Sequence, residues 1–155
     1  MLLAITKSVT LPHPIEQVWD VVSDPVAVAG CLPNVRDFRP GGEPGRYVTT
    51  LVERLGPFSV QVGLTVDVTE DAAGRLMVAR IAGDDKGGAA RVRGDVRATV
   101  GPATESAGVH LEVASDVEVL GRMATLGAGP MRRRGDQVFD QFVSNIAALL
   151  EERHG

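Results

Sequence analysis

The last third of the chain alternates with a period of two and then switches to the period of a helix. From Ala90 to Val100 the even positions are Ala90, Val92, Gly94, Val96, Ala98 and Val100, with Arg91, Arg93 and Arg97 between them. From Val109 to Val119 the odd positions are Val109, Leu111, Val113, Ser115, Val117 and Val119, with Glu112, Asp116 and Glu118 between them. Such alternation predicts two strands, each with one buried and one wet face. Met131, Val138, Phe139, Phe142, Ile146, Leu149 and Leu150 then fall on one stripe, which predicts a long amphipathic helix to about Glu152. The inward strand rows are rich in small residues. Packed interiors tolerate few voids, so Gly94, Ala98 and Ser115 beneath a helix predict open space above the sheet.

Earlier segments repeat the strand pattern. Leu3, Ile5, Val9 and Leu11 make a first strand ending at Pro12. Lys7 interrupts its apolar row, which places it at the sheet's edge or at a cavity mouth. Pro14 suits the first turn of a helix that buries Val18, Trp19 and Val22, and Asp24-Pro25 caps a second, ended near Gly30. Strands follow over about 35–39, 46–55, 58–68 and 75–82, separated by Pro40-Gly41-Gly42, Gly56-Pro57 and Asp71 to Gly74. Asp84 to Gly88 turns into the sixth strand and Gly101 to Gly108 into the seventh. With no helices between them, these strands predict an antiparallel meander.

The charges on the last two strands predict a register. With Val100 opposite Val109, Arg97 meets Glu112, Arg93 meets Asp116 and Arg91 meets Glu118. Each pair contributes about 0.2–1 kcal/mol, so together they set register more than stability.

Composition narrows the class without naming a function. The chain has 155 residues, 44% hydrophobic and 23% charged, which fits one globular domain over 1–155. Aromatics at 4% leave the core to aliphatic residues. A net charge of -4 argues against nucleic acid as a partner. The single cysteine, Cys31, forms no internal disulfide and fits a reducing cytoplasm. The opening MLLAITKSVTLP does not read as a signal peptide, and no apolar run is long enough to span a membrane.

Few residues invite chemistry. His13, His110 and His154 are scattered and predict neither a metal site nor a general base. Cys31 reads as a small buried residue, and Asp136 and Asp140, opposite the apolar stripe, as solvated. The clusters Gly41-Gly42-Glu43-Pro44-Gly45 and Gly127-Ala128-Gly129 lack nucleotide-loop spacing. Arg132-Arg133-Arg134 reads as a solvated helix face, with Arg132 and Asp136 paired at i, i+4, or as a contact for anionic lipid or an acidic partner. Met77, Met123 and Met131 either line a cavity or fill an irregular core.

The order of elements resembles the helix-grip fold of the START-like (SRPBCC, Bet v 1-like) superfamily. Within it, Pro14-Ile-Glu-Gln-Val-Trp19, Asp24-Pro25 and Cys31-Leu-Pro33 resemble the front end of the family named for the G subunit of carbon monoxide dehydrogenase. Gly56-Pro57-Phe58, Gly83 and Gly87-Gly88-Ala89 continue the match. Val117-Glu-Val-Leu-Gly121-Arg-Met-Ala-Thr-Leu-Gly127 is its most specific piece, and Asp140-Gln-Phe142 completes it. The resemblance implies an α+β fold: a seven-stranded antiparallel sheet, two short helices, and a long C-terminal helix across the concave face. It also implies an accessory protein of a molybdenum-containing CO dehydrogenase or related hydroxylase, aiding maturation or membrane recruitment, with a quinone or lipid as cargo. Many members carry a C-terminal extension; a chain ending at Gly155 argues against a stable anchor of that kind.

The expectation is a non-catalytic binding protein, cytoplasmic or peripheral at the inner membrane face, with no metal or covalently bound cofactor. Its cavity would be lined by Val62, Leu64, Val66, Met77, Ala79, Val96, Ala98, Val113, Met123, Met131, Phe139 and Phe142. Arg132, Arg133 and Arg134 would be docking residues for a partner or membrane. The alternative is a polyketide cyclase or dehydratase on the same fold, for which Lys7, Arg80 and Tyr47 are the candidate polar entrants. A third reading is an interaction domain with no ligand.

Overall fold

The computed structural model describes residues 1–104 and 107–154. Strand β1 (Leu2–Leu11) is followed by helices α1 (Ile15–Val22) and α2 (Pro25–Cys31). Strands β2 (Val35–Pro40), β3 (Arg46–Leu55), β4 (Phe58–Asp71), β5 (Leu76–Asp84), β6 (Arg91–Pro102) and β7 (Val109–Leu120) follow in unbroken succession. A short 3₁₀ helix (Arg122–Leu126) then leads into α3 (Ala128–His154). The Asp24 carboxylate accepts from the Val26 and Ala27 N–H groups, which caps α2 as its sequence predicts. The 3₁₀ turn and α3 are separated by a true break: Gly127 has φ +80°, a conformation disfavoured for residues with a Cβ, and α3 starts after it.

One antiparallel sheet of seven strands has the order β1-β7-β6-β5-β4-β3-β2. The meander continues strand by strand, and β1 closes it by pairing with β7, so β1 and β2 are the edges. Lys7 therefore lies on an edge strand, with its side chain toward α3.

The β6–β7 register differs from the charge-based one by two residues. Pro102 pairs with Val109, so Arg97 stands opposite Ala114, Arg93 opposite Glu118 and Arg91 opposite Leu120. The ladder runs two residues further into the predicted turn, whose residues 105 and 106 lie outside the described ones. A shift of two keeps every side chain on its face, so alternation cannot tell the registers apart. The charges still find partners: Arg97 binds Asp116 diagonally at 2.8 Å, and Arg91 binds Asp84, directly opposite it on β5, at 2.8 Å. Gly94 now faces Val117 and Ala98 faces Val113. A Cβ at Gly94 would collide with the Asp116 carbonyl oxygen, so only glycine permits this approach of β6 to β7.

On the convex side of β3 and β4, Arg46 Nε donates to Asp67 Oδ1 at 2.8 Å. That hydrogen bond holds the Asp67 carboxyl below its usual value of 3.8. A group depressed on folding adds stability above its unfolded pKa and loses it as pH falls through the folded one. Asp67→Asn is therefore expected to remove a small part of stability at neutral pH and to flatten the decline below about pH 4. Thermal melts across the acid range check this; parallel curves for variant and parent would rule it out.

Buried side chains form two separate cores. The first joins Leu11, α1, α2, the β6–β7 hairpin end (Val100, Val109, Leu111) and Phe142, Ile146 and Leu150 of α3. The second joins Val60 to Val66 of β4, Val92, Val119, Met123 and Met131. Between Met131 and Phe142, α3 carries no fully buried residue.

Candidate ligand trough

The concave face is built from odd positions of β1, β3, β5 and β7 and even positions of β4 and β6. Its middle rungs are small or aliphatic: Ile5, Ser115, Val96, Ala79 and Val68 on one, Leu3, Val117, Gly94, Ile81 and Val66 on the next. Except for buried Val66, all of these keep partial access to solvent, whereas Val92, Val100, Leu111 and Val119 toward the strand ends are buried. The centre of the sheet under α3 is thus a half-buried saddle between two packed cores, and small side chains make it so.

The structure divides the expected lining residues. Val62, Leu64, Val66, Met123 and Met131 are buried in the second core, and Met77 and Phe142 in the first. Ala79, Val96, Ala98, Val113 and Phe139 are half-buried, and Val96 belongs to neither core. Two open surface depressions lie away from the saddle. One, of about 620 Å³, is lined by Val52, Glu53, Arg54, Ser59, Val60, Gln61 and Asp85. The other, of about 530 Å³, lies at the β5–β6 turn beside Leu120 and Gly121.

Two charged side chains point inward from the concave face, and α3 meets both. Lys7 on β1 binds Asp136 at 2.9 Å. Glu53 on β3, its side chain only 6% exposed, accepts a forked pair from Arg134: Nε at 2.7 Å and Nη2 at 3.1 Å. That bond raises the Arg134 pKa still further, so the guanidinium stays charged. Arg134 and Asp136 leave α3 on different sides, and the helix is straddled by pairs of opposite polarity.

These contacts correct the local pairing expected within the basic run. Arg134 is held against buried Glu53, and Arg132 Nη1 donates to the Ala4 carbonyl at 2.8 Å instead of pairing with Asp136. Arg133 is exposed. Asp136, expected in solvent, closes the β1 side. The signal for Glu53 was in the sequence: a lone acid at an odd position of β3, between Leu51 and Leu55, with a basic run on the covering helix.

The CoxG family, named for the G subunit of carbon monoxide dehydrogenase, matches residues 8–151. The chain belongs to that family. No curated protein matches it in sequence. Among solved structures, a conserved protein from Geobacillus kaustophilus superposes with a TM-score of 0.84 at 17% identity, covering 99% of this chain and 98% of that one. The Zhui aromatase/cyclase from Streptomyces sp. R1128 gives 0.67 at 17% identity, with 99% and 96% covered. Norcoclaurine synthase from Thalictrum flavum, crystallised with dopamine and hydroxybenzaldehyde, gives 0.67 at 13% identity, with 100% and 90% covered. At these identities the likeness is one of fold, and it is the helix-grip fold.

This CoxG chain separates the three polar residues named for a cyclase. Lys7 is paired with Asp136, Tyr47 stacks on Phe38 with ring centroids 4.7 Å apart, and Arg80 lies on the convex face beside Asp95. Burial pushes the Cys31 thiol pKa up, partly offset by Arg153, so it stays protonated and poorly nucleophilic. Among the described residues no His, Cys, Asp and Glu gather as metal ligands would, and no helix is long and apolar enough to cross a membrane.

Proposed function

We propose that this CoxG-family protein is a non-catalytic accessory to a CO dehydrogenase or related molybdenum hydroxylase. In this reading it carries a hydrophobic small molecule, the prenyl or acyl tail of a quinone or lipid, in the trough between sheet and α3. One observation supports it above others: the buried core is interrupted under the middle of α3, where Val96 and its neighbours keep accessible apolar surface. Burying that surface against a hydrocarbon tail gains about 25 cal/mol per Å². The inward polar groups there are engaged by the chain itself, which suits carriage better than acid–base chemistry.

Native mass spectrometry with solvent extraction of the purified protein, followed by titration with a short-chain prenylated quinone, tests the reading. Saturable uptake of one molecule per chain is expected. A protein that emerges empty and takes up none loses the ligand role, while its family membership stands.

A further inference from the structure

We infer that the Glu53–Arg134 pair is the gate of the trough and that its entrance is on the β3 side; this rests on the ligand-carrying reading above. The two sides of α3 are not held alike. On the β1 side the helix lies against the sheet: a Cβ at Gly135 would come within 2.9 Å of Ile5 Cδ1. Arg132 ties it to the Ala4 carbonyl at 2.8 Å, and Lys7 to Asp136 at 2.9 Å. That wall is closed by contact along a full turn of helix.

On the β3 side the polar link is the forked bond from Arg134 to Glu53. Glu53 and its ladder partner Val60 face the concave side near the end of the β3–β4 ladder, beyond Leu51, the last β3 residue that β2 pairs with. This corner of the concave face is therefore not flanked by another strand, and Arg134 reaches across to hold its carboxylate. A small molecule entering at this corner passes between α3 and β3 only when that bond opens. The means of opening is present: Gly127, with φ +80° and no atom within 4 Å of where a Cβ would stand, precedes α3. Arg134 keeps 31% of its side chain exposed, so on release it swings into water, while the Glu53 carboxylate, only 6% exposed, is left without its partner and sets the barrier to opening.

The gate predicts a kinetic phenotype. The probe is a short-chain prenylated quinone, read in stopped flow by quenching of Trp19, the single tryptophan, which packs against the first core. Glu53→Gln is expected to speed association and dissociation together by about tenfold, the effect of about 1.4 kcal/mol on a barrier, with the equilibrium constant much less changed. Arg97→Gln, on the convex face, is the control and leaves both rates alone. If Glu53→Gln fails to fold, Arg134→Lys keeps the charge but loses the fork and is expected to speed both rates by less. Unchanged rates in a folded gate variant that still binds the probe overturn the gate alone. Absence of saturable quenching in the parent protein overturns the ligand reading on which the gate rests.

Discussion

Ile146→Ala is expected to cost about 3–4 kcal/mol, and Val96→Ala less than about 1.5 kcal/mol, although both side chains lie between the sheet and α3. Ile146 is 0% exposed within the first core, so truncation leaves a cavity walled by α1, β7 and the hairpin end. Val96 is half-buried and belongs to neither core, so its methyl groups lose few contacts. In a domain of this size the first loss lowers the melting temperature by about 10 °C, readily seen in thermal or denaturant melts. Equal losses at the two positions would mean that the concave face is packed throughout, and the trough would be abandoned.

Val96→Phe is expected to lower quinone uptake by about a hundredfold while changing stability by about 1 kcal/mol or less. Val96 stands between Ala79 on β5 and Ser115 on β7, two small neighbours on its own rung. A phenyl ring there fills the saddle and covers the apolar wall on which a hydrocarbon tail would lie. In a filled core the same change would be overpacking, costing about 1–3 kcal/mol with no binding to lose. Titration of the variant beside its melting curve therefore separates a trough from a core. Stable protein with undiminished uptake would place the ligand elsewhere.

Much of this architecture was legible residue by residue. Alternation in β1, β4, β6 and β7 and the stripe on α3 reported faces, because burial acts on each side chain through its own position in a periodic element. Asp24-Pro25 marked the start of α2 for an equally local reason. The β6–β7 register was not legible. Registers two residues apart share all faces, and the arginines of β6 find acids without the β7 residues opposite them: Arg97 reaches diagonally to Asp116, and Arg91 pairs with Asp84 on its other neighbour, β5. Nor was the division of the expected lining. Val62 and Val96 look alike in sequence, yet Val62 is 0% exposed and Val96 is half-buried.

The seven strands, the three helices, the inward rows and the resemblance to the CoxG family could all be read from the order of residues alone. Where α3 rests on those rows emerged from the three-dimensional packing. It put Arg134 on Glu53 and Asp136 on Lys7, residues 81 and 129 positions apart respectively, and so turned a basic run into one side of a clamp. The reason is physical. Faces follow from short-range periodicity, whereas the seat of a helix on a curved sheet is fixed by contacts between residues far apart in the chain, which no local pattern encodes.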